Sequence, residues 1–453
     1  MRILKDLEKF LKTKGVEAYL VGGCVRDLIL GIKINDIDVA LKDNLEVARE
    51  YADLNKGSFF LMHEDVARVI LDDITIDFCK MKGKSIEEDL KKRDFTINSI
   101  AKDIKGDKYI DVVGGIKDIE NKIIRVSYKD AFLDDPLRML RAFRLKAKLN
   151  FNIEDETLQL IKQNFQRIND VSGERIIDEI FKILDGKSYD ILKELDSTGL
   201  LCEIFPVFKR MKLIGKCKYH VVDSFTHSML SLKTFEDMMD EVLKTKHKDS
   251  IKKHLDENLS GVKRRTVLKL ATLLHDIGKP KAYKKEGEKI TFKGHDVTGY
   301  EEFQSINKRY NFSKEQKNLI ESVIKGHMRI LGLFKTGATE RALYRLIRDF
   351  KDNTLDVILA SLFDVTATRL LLDENGERER YFEFCMDLID RLYEKNKLPK
   401  KLISGEDVIK LTGKKGRFVG EVLEALNEEI FLGNIKTREE ALEFIKNMKK
   451  GLK

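Results

Sequence analysis

The stretch Tyr19–Leu41, YLVGGCVRDLILGIKINDIDVAL, puts two carboxylates into a run that otherwise reads as a buried strand. Residues i and i+2 of a strand point to the same face, so Asp36 and Asp38 project together while Ile37 and Val39 face the other way. Two carboxylates that close repel each other unless a cation lies between them. Magnesium suits the pair, because it takes oxygen ligands and is commonly held by one or two carboxylates plus substrate phosphates. Just upstream, Gly22 and Gly23 lie between the apolar run Ala18–Val21 and a helix expected over Cys24–Leu30. Glycines there let backbone N–H groups approach a phosphate, and Arg26 adds charge. The spacing reads as a phosphate-gripping turn beside a metal-holding strand; the bland alternative is a solvated turn with two surface aspartates.

A second set of chemically capable residues lies in the other half. It comprises His227 in FTHSML, His275-Asp276 in LLHDIGKP, His295 in KGHDVTGYE, His327 in VIKGHM and Asp364 in SLFDVTA. Half of the chain's eight histidines thus stand in helix-like contexts with metal-capable neighbours. Imidazole with carboxylate suits divalent transition metals such as Mn, Ni, Fe or Zn.

The elements that must position these groups change character along the chain. Up to about residue 125, AYLVGG, DIDVAL, ARVIL, ITIDF and KYIDVVGG are strand candidates, rich in Val and Ile and bounded by Gly, Asp or Asn. Beyond Ser127 the pattern becomes almost wholly helical. DPLRMLRAFRLKAKL, DETLQLIKQNF, GERIIDEIFKIL, RTVLKLATLLHDIG, KEQKNLIESVIKGH and TLDVILASLFDVTATRLLL carry apolar residues at steps of three and four. Lysine-rich, Gly-containing stretches near Asp240–Arg265 and Lys395–Gly405 read as linkers or exposed connections. At 453 residues the chain is too long for one core, and two to four domains are expected.

Composition bounds the function without choosing it. The net charge of +8 is the small excess of 85 basic over 77 acidic residues; it is compatible with a polyanionic partner and alone is weak evidence for one. The cysteines, Cys24, Cys79, Cys202, Cys217 and Cys385, are scattered and form no C-x-x-C pair. Neither a disulfide framework nor a zinc ribbon is expected, and reduced thiols in the cytosol are. MRILKDLEKFLKTKG lacks the apolar core of a signal peptide, and no window approaches the ~18 apolar residues of a membrane span. A soluble cytoplasmic protein without a membrane partner is expected.

GGCVRDLILG…NDIDVAL resembles the signature of the class II tRNA nucleotidyltransferase and bacterial poly(A) polymerase family, among the DNA polymerase beta-like nucleotidyltransferases. The resemblance recurs in order over about residues 20 to 185. DLKKRDFTINSIA (Asp89–Ala101) is similar to the second motif, and YIDVVGGIKDI (Tyr109–Ile119) to the turn after it. DDPLRMLRAFRLKAKLNF (Asp134–Phe151) and SGERIIDEIFKIL (Ser172–Leu184) resemble the elements that follow. Over about 220 to 370, the order His227, His275-Asp276, Asp364 resembles the HD metal-dependent phosphohydrolase domain, with His295 and His327 at its accessory positions. LISGEDVIKLTGKKGRFVGEVLEAL (Leu402–Leu426) is similar to the tRNA-reaching tail, where Gly413, Gly416 and Gly420 would allow close approach and Lys414, Lys415 and Arg417 supply charge.

The resemblance implies an α+β nucleotidyltransferase head, with a small mixed sheet and helices, over 1–126. It is followed by a helical neck for base selection and RNA binding over 127–215, an HD domain over 216–375 and a helical tRNA-binding tail over 376–453. It implies attack of a tRNA 3′-hydroxyl on the α-phosphorus of CTP, with ATP a further candidate substrate, at Mg²⁺ held by Asp36 and Asp38. Asp77 in ITIDF would be the third carboxylate, as base or further ligand. Gly22, Gly23, Arg26, Arg93, Asp94 and Asn98 would contact ribose and phosphates.

Asp135 and Arg138 would read the incoming base, and hydrogen-bond polarity agrees. Asp only accepts and Arg only donates, which suits the amino group beside a ring acceptor in C and A and rejects U and G. Asp135 before Pro136 is also a good helix start, worth about 1 kcal/mol as a cap. Arg138, Arg141 and Arg144 fall on one stripe that could face triphosphate or the RNA end.

Some features depart from the family's pattern. Only FCKMKGKSIEE separates Asp77 from Asp89, where enzymes that build the whole C-C-A end carry a longer flexible segment. This shortness resembles the CC-adding members. Cys24 after the glycines and Asp134 in place of Glu are milder changes. Two other functions stay open: a bacterial-type poly(A) polymerase, and an HD phosphohydrolase whose head only binds nucleotide or RNA.

Overall fold

The computed structural model describes residues 2–106, 108–214, 221–287, 289–373, 375–395 and 402–451. Cys217 and most of the connection expected near Lys395–Gly405 lie outside them. Contacts divide the chain into two compact units, residues 1–204 and 205–453.

The first unit is built on a seven-stranded sheet. Its strands are β1 (Ala18–Val21), β2 (Asp36–Leu41), β3 (Ser58–His63), β4 (Val66–Leu71), β5 (Ile74–Lys80), β6 (Ile100–Asp103) and β7 (Tyr109–Asp111), in the order β3-β4-β5-β2-β1-β6-β7. β2 lies parallel to β5 and antiparallel to β1, so the sheet is mixed as expected. The strand runs bury Leu20, Val21, Val39, Ala40, Ile76 and Phe78. The helix after the glycines spans Gly23–Ile29. The helices Arg138–Leu149 and Gly173–Leu184 then bury their three-and-four-spaced residues, among them Met139, Leu140 and Phe143, and Ile176, Ile180 and Phe181. The Asp-Pro start expected for the first of these is present as a tight lead-in turn, with Arg138 N and Met139 N reaching the Asp135 and Pro136 carbonyls at 3.1 Å. Asp135 is extended, and its Oδ1 accepts from Leu137 N at 3.2 Å ahead of the first helical turn.

The second unit is helical, with main helices Ser224–Val242, Arg264–Leu274, His295–Tyr310, Lys314–Thr336, Thr354–Leu371 and Glu377–Lys395. Helices Gly405–Thr412, Arg417–Phe431 and Arg438–Gly451 pack around Val408, Val422, Leu426 and Ile445. The helical pattern is interrupted by two short antiparallel hairpins, Asn258–Leu259 with Val262–Lys263 and Lys284–Glu286 with Lys289–Thr291. The first hairpin and the helix Lys248–Leu255 replace the linker expected near Asp240–Arg265; Ile251, Leu255 and Leu259 are buried there, so composition misled. No described helix is long and apolar enough to cross a membrane.

Candidate active site and metal cluster

The sheet register brings the head's carboxylates together. On the parallel strands β2 and β5, Asp38 stands opposite Asp77, and Asp36 opposite Thr75. Opposed residues share a face, so Asp36, Asp38 and Asp77 form one acidic corner. Asp36 is exposed, while Asp38 and Asp77 are half-buried. Burial, with Asp77 and Asp36 beside it, lifts the Asp38 carboxyl to about 6, although Arg93 and Arg141 pull the other way. A carboxylate raised by burial and crowded by two like charges is one whose ionised form a cation would stabilise. The donor set, carboxylate oxygens only, fits Mg²⁺.

The glycine turn is packed against this corner. Gly22 has φ 73°, and a Cβ there would lie 2.9 Å from Asp38 Oδ2 and 3.4 Å from Arg93 Nη1. Only glycine lets the turn close on the carboxylate. Arg93 is aimed by Asp89, whose Oδ2 it meets at 2.8 Å.

The other predicted contacts of the nucleotide are brought together as a buried network. Arg26 donates to Asp27 at 2.8 Å and to Asn98 Oδ1 at 2.6 Å. Asn98 donates to Asp94 Oδ1 at 3.1 Å, and Asp94 Oδ2 meets Arg141 at 2.7 Å. Burial would raise Asp94, yet Arg141 and the Asn98 and Phe95 N–H donors hold it below its usual value. Arg144 pairs with buried Glu179 at 2.8 Å. The arginine stripe is thus divided. Arg141 and Arg144 are tied to carboxylates, while Arg138 donates to the Tyr128 hydroxyl at 2.7 Å and to the Ala131 carbonyl at 3.2 Å. Asp135 meets Arg175 at 3.2 Å. To read a base, Asp135 and Arg138 would exchange these partners for the base edge.

Sequence reasoning missed Arg68, Arg175 and Glu179. Arg68 forms a two-bonded pair with Asp77. The two-residue Asp72-Asp73 turn between β4 and β5 fixes that register and could have revealed it. Arg175 and Glu179 belong to the quoted GERIIDEIF run, but only the tertiary packing shows their partners.

In the second unit all six predicted metal residues converge, and His227, His275, Asp276, His295 and His327 are nearly inaccessible. Nδ1 of His275 faces the Thr272 carbonyl at 2.7 Å, that of His295 the Phe292 carbonyl at 2.9 Å, and that of His327 the Val323 and Ile324 carbonyls at 3.1 Å. A carbonyl only accepts, so each Nδ1 carries its hydrogen; at His295 and His327 this leaves an Nε2 lone pair turned inward, whereas His275 Nε2 faces the carboxylates of Asp276 at 3.2 Å and Asp364 at 3.5 Å. Nε2 of His295 and of His327 lie 3.1 Å apart, an arrangement of facing lone pairs that a cation would resolve. Asp276 Oδ1 lies 3.4 Å from His295 Nε2, while its Oδ2 lies 3.2 Å from His275 Nε2 and 2.5 Å from Lys279 Nζ. Asp364 Oδ1 meets His227 Nε2 at 2.8 Å. Burial opposes charge on His275, but Asp276 and Asp364 hold it up to about 10; burial with His275 and His295 pushes His327 down to about 3. The mixed imidazole and carboxylate set fits a divalent transition metal.

A cavity of about 550 Å³ opens beside the cluster, with Asp276, His295 and Asp364 on one wall and Lys279, Lys293 and Arg369 among its cations. In the tail, Gly413 ends one helix at φ 72° and Gly416 precedes the next at φ 72°, so both have structural work. A Cβ on Gly420 would meet nothing within 4 Å.

Three family models match successive stretches of the chain. Residues 18–125 match the family model described as poly A polymerase head domain. Residues 150–212 match the probable RNA and SrmB-binding site of polymerase A, and residues 225–369 the HD domain. The A-adding tRNA nucleotidyltransferase of Deinococcus radiodurans is 29% identical over 94% of both chains. The CC-adding tRNA nucleotidyltransferase of Geobacter sulfurreducens is 42% identical over 176 residues, 38% of this chain and 41% of that one. The solved structure of the Thermotoga maritima CCA-adding enzyme complexed with tRNA aligns with a TM-score of 0.64 at 25% identity, covering 99% of this chain and 95% of that one.

Proposed function

From the premise that the chain belongs to the tRNA nucleotidyltransferase and poly(A) polymerase family, we propose that it extends the 3′ end of tRNA with CMP, using nucleoside triphosphates and no nucleic-acid template. The observation that carries this is the acidic corner, with Asp38 opposite Asp77, Asp36 on the same face, and Gly22 closed onto Asp38. Asp36 and Asp38 would hold Mg²⁺, which lowers the pKa of the attacking hydroxyl and neutralises the leaving pyrophosphate. The tRNA 3′-oxygen forms its bond to the α-phosphorus as the bond from that phosphorus to the bridging oxygen breaks. Arg93, aimed by Asp89 beside the turn, is placed to meet the triphosphate. Asp135 and Arg138 admit C and A and reject U and G by donor and acceptor order, and the basic tail with open Gly420 takes tRNA backbone. The cytoplasm, where tRNA matures, is the proposed compartment.

The product is proposed to be C-C. Only Met81–Ser85 join β5 to the helix Ile86–Lys91, and Asp89 Oδ1 accepts from Lys82 N at 2.9 Å, pinning that join. Little chain is left to reshape the pocket for A. Transcripts lacking the C-C-A end, given CTP, ATP or both and resolved at single-nucleotide length, test this. A stop after two residues with ATP present is expected; three residues, or A alone, overturn the C-C assignment, and long A tails without CTP use indicate a poly(A) polymerase. If Asp36→Ala with Asp38→Ala still incorporates nucleotide, the transfer site lies elsewhere.

A second reading applies to the second unit, where the inward Nε2 atoms and the cationic cavity favour metal-dependent phosphohydrolysis. Release of phosphate from a chromogenic ester by wild type, lost in Asp276→Asn, tests it; no turnover with Mn²⁺, Ni²⁺, Fe²⁺ or Zn²⁺ leaves the unit a non-hydrolytic metal domain.

A further inference from the structure

Asp77 arrives at the acidic corner with both oxygens engaged. Arg68 Nε donates to Oδ1 and Arg68 Nη2 to Oδ2, each at 2.8 Å. The chain imposes this pairing. Leu71 opposes Ile74 across the Asp72-Asp73 turn, and the antiparallel register then sets Arg68 against Asp77. On its other side Asp77 opposes Asp38. Arg68, Asp77 and Asp38 therefore form a row across β4, β5 and β2, on the face that also carries Asp36. A two-bonded guanidinium–carboxylate pair is geometrically specific and about twice as strong as neutral hydrogen bonds. It turns the edge of the carboxylate that would chelate a cation toward β4, away from Asp38.

We propose that Arg68 is a positioning residue that holds Asp77 outside the cation's coordination shell, so that Asp36 and Asp38 are the head's carboxylate ligands. This rests on the nucleotidyl-transfer reading and revises the part Asp77 plays in it, from ligand or base to fixed neighbouring charge. Magnesium keeps strict octahedral geometry. Excluding a third carboxylate leaves positions for triphosphate oxygens and water and spares the site an over-tight grip on the ion.

The test is Mn²⁺ binding to the full-length protein without nucleotide, read as loss of the free-ion electron paramagnetic resonance signal, beside steady-state CMP incorporation. Wild type, Arg68→Gln, Arg68→Lys, Asp77→Asn and the Arg68→Gln/Asp77→Asn double variant are compared. The histidine cluster is common to all five, so differences among them report the head. Asp77→Asn is expected to leave Mn²⁺ affinity within about twofold of wild type. Arg68→Gln frees Asp77 and tightens binding about 3- to 10-fold, and the double variant removes that gain. Incorporation by Arg68→Gln falls about 10- to 100-fold in kcat, as for other residues that orient a metal site, with the KM for CTP within about threefold. Arg68→Lys, which retains one bond to Asp77, recovers part of that loss. A weakening of Mn²⁺ binding by tenfold or more in Asp77→Asn makes Asp77 a ligand and overturns the proposal, as does an Arg68→Gln protein unchanged in binding and turnover. Metal binding is read without catalysis, so a wild type that transfers no nucleotide would sink the transfer reading and leave the ligand assignment standing.

Discussion

Asp38→Asn is expected to stabilise the metal-free protein at neutral pH while abolishing nucleotide incorporation. Asp38 is lifted from 3.8 to about 6 in the fold by burial and by Asp77 and Asp36, against Arg93 and Arg141. The folded state therefore keeps this proton up to a higher pH than the unfolded chain. Between about pH 4 and 6 the folded state binds more protons, so this group's contribution to stability falls as pH rises through that window. Above it the folded state carries an uncompensated charge. At 1.36 kcal/mol per pH unit the full shift costs about 3 kcal/mol, and solvent access to a half-buried carboxylate brings the working figure to about 1–3 kcal/mol.

Asparagine removes the charge and nearly keeps the shape. Melting of the full chain in EDTA at pH 7.5 is expected to show the head's transition rise by about 2–12 °C, using roughly 2–4 °C per kcal/mol for a unit of this size. Toward pH 3 wild type and variant should converge, because Asp38 is then largely protonated in both states. Mg²⁺ should raise the melting point of wild type more than that of the variant. A variant no more stable than wild type at pH 7.5, or a gain that persists unchanged at pH 3, refutes the reasoning.

Other perturbations separate support from chemistry. Gly115→Ala would place a Cβ 2.1 Å from the Thr96 carbonyl oxygen, whereas Gly114→Ala meets no atom within 4 Å and carries only the strain of φ 80°; calorimetry should show the first lowering the head's melting point far more than the second, which should cost about 1 kcal/mol. Asp94→Asn leaves the half-buried Arg141 guanidinium without its carboxylate, and urea unfolding should show a loss of about 1–3 kcal/mol. His327→Ala should lower bound transition metal at least fivefold by elemental analysis after dialysis, with melting of the head unchanged.

What the sequence disclosed depended on the range of the interaction. The DIDVAL alternation placed Asp36 and Asp38 on one face, and the paired glycines marked a turn between strand and helix, because both depend on neighbours along the chain; that this turn closes on Asp38 came only with the fold. Register is the next level. Arg68 opposite Asp77 follows from one two-residue turn and was legible in principle. Asp38 opposite Asp77 requires knowing that β2 and β5 pair in parallel across the intervening hairpin, which no local pattern reveals. The charged motif residues lay furthest from view: Arg26, Asp94, Asn98 and Arg141 were recognisable as a set, yet their partners are mostly one another. Likewise the Lys248–Leu255 helix looked like a linker because its lysines outnumber the two core residues, Ile251 and Leu255, that fix it.

The two centres meet the same physical problem with opposite means. In the second unit the cluster is shaped by fixed hydrogens: backbone carbonyls at Phe292, Val323 and Ile324 claim the Nδ1 protons of His295 and His327, so their Nε2 lone pairs already face each other. That arrangement would suit a resident ion. In the head the carboxylates are crowded rather than aimed, one is withheld by Arg68, and the exposed Asp36 stays open to solvent. A site of that kind binds its ion well only when triphosphate oxygens complete the coordination. It can therefore take up metal with each nucleotide and release it with pyrophosphate, which suits an enzyme that repeats the same step at a growing RNA end.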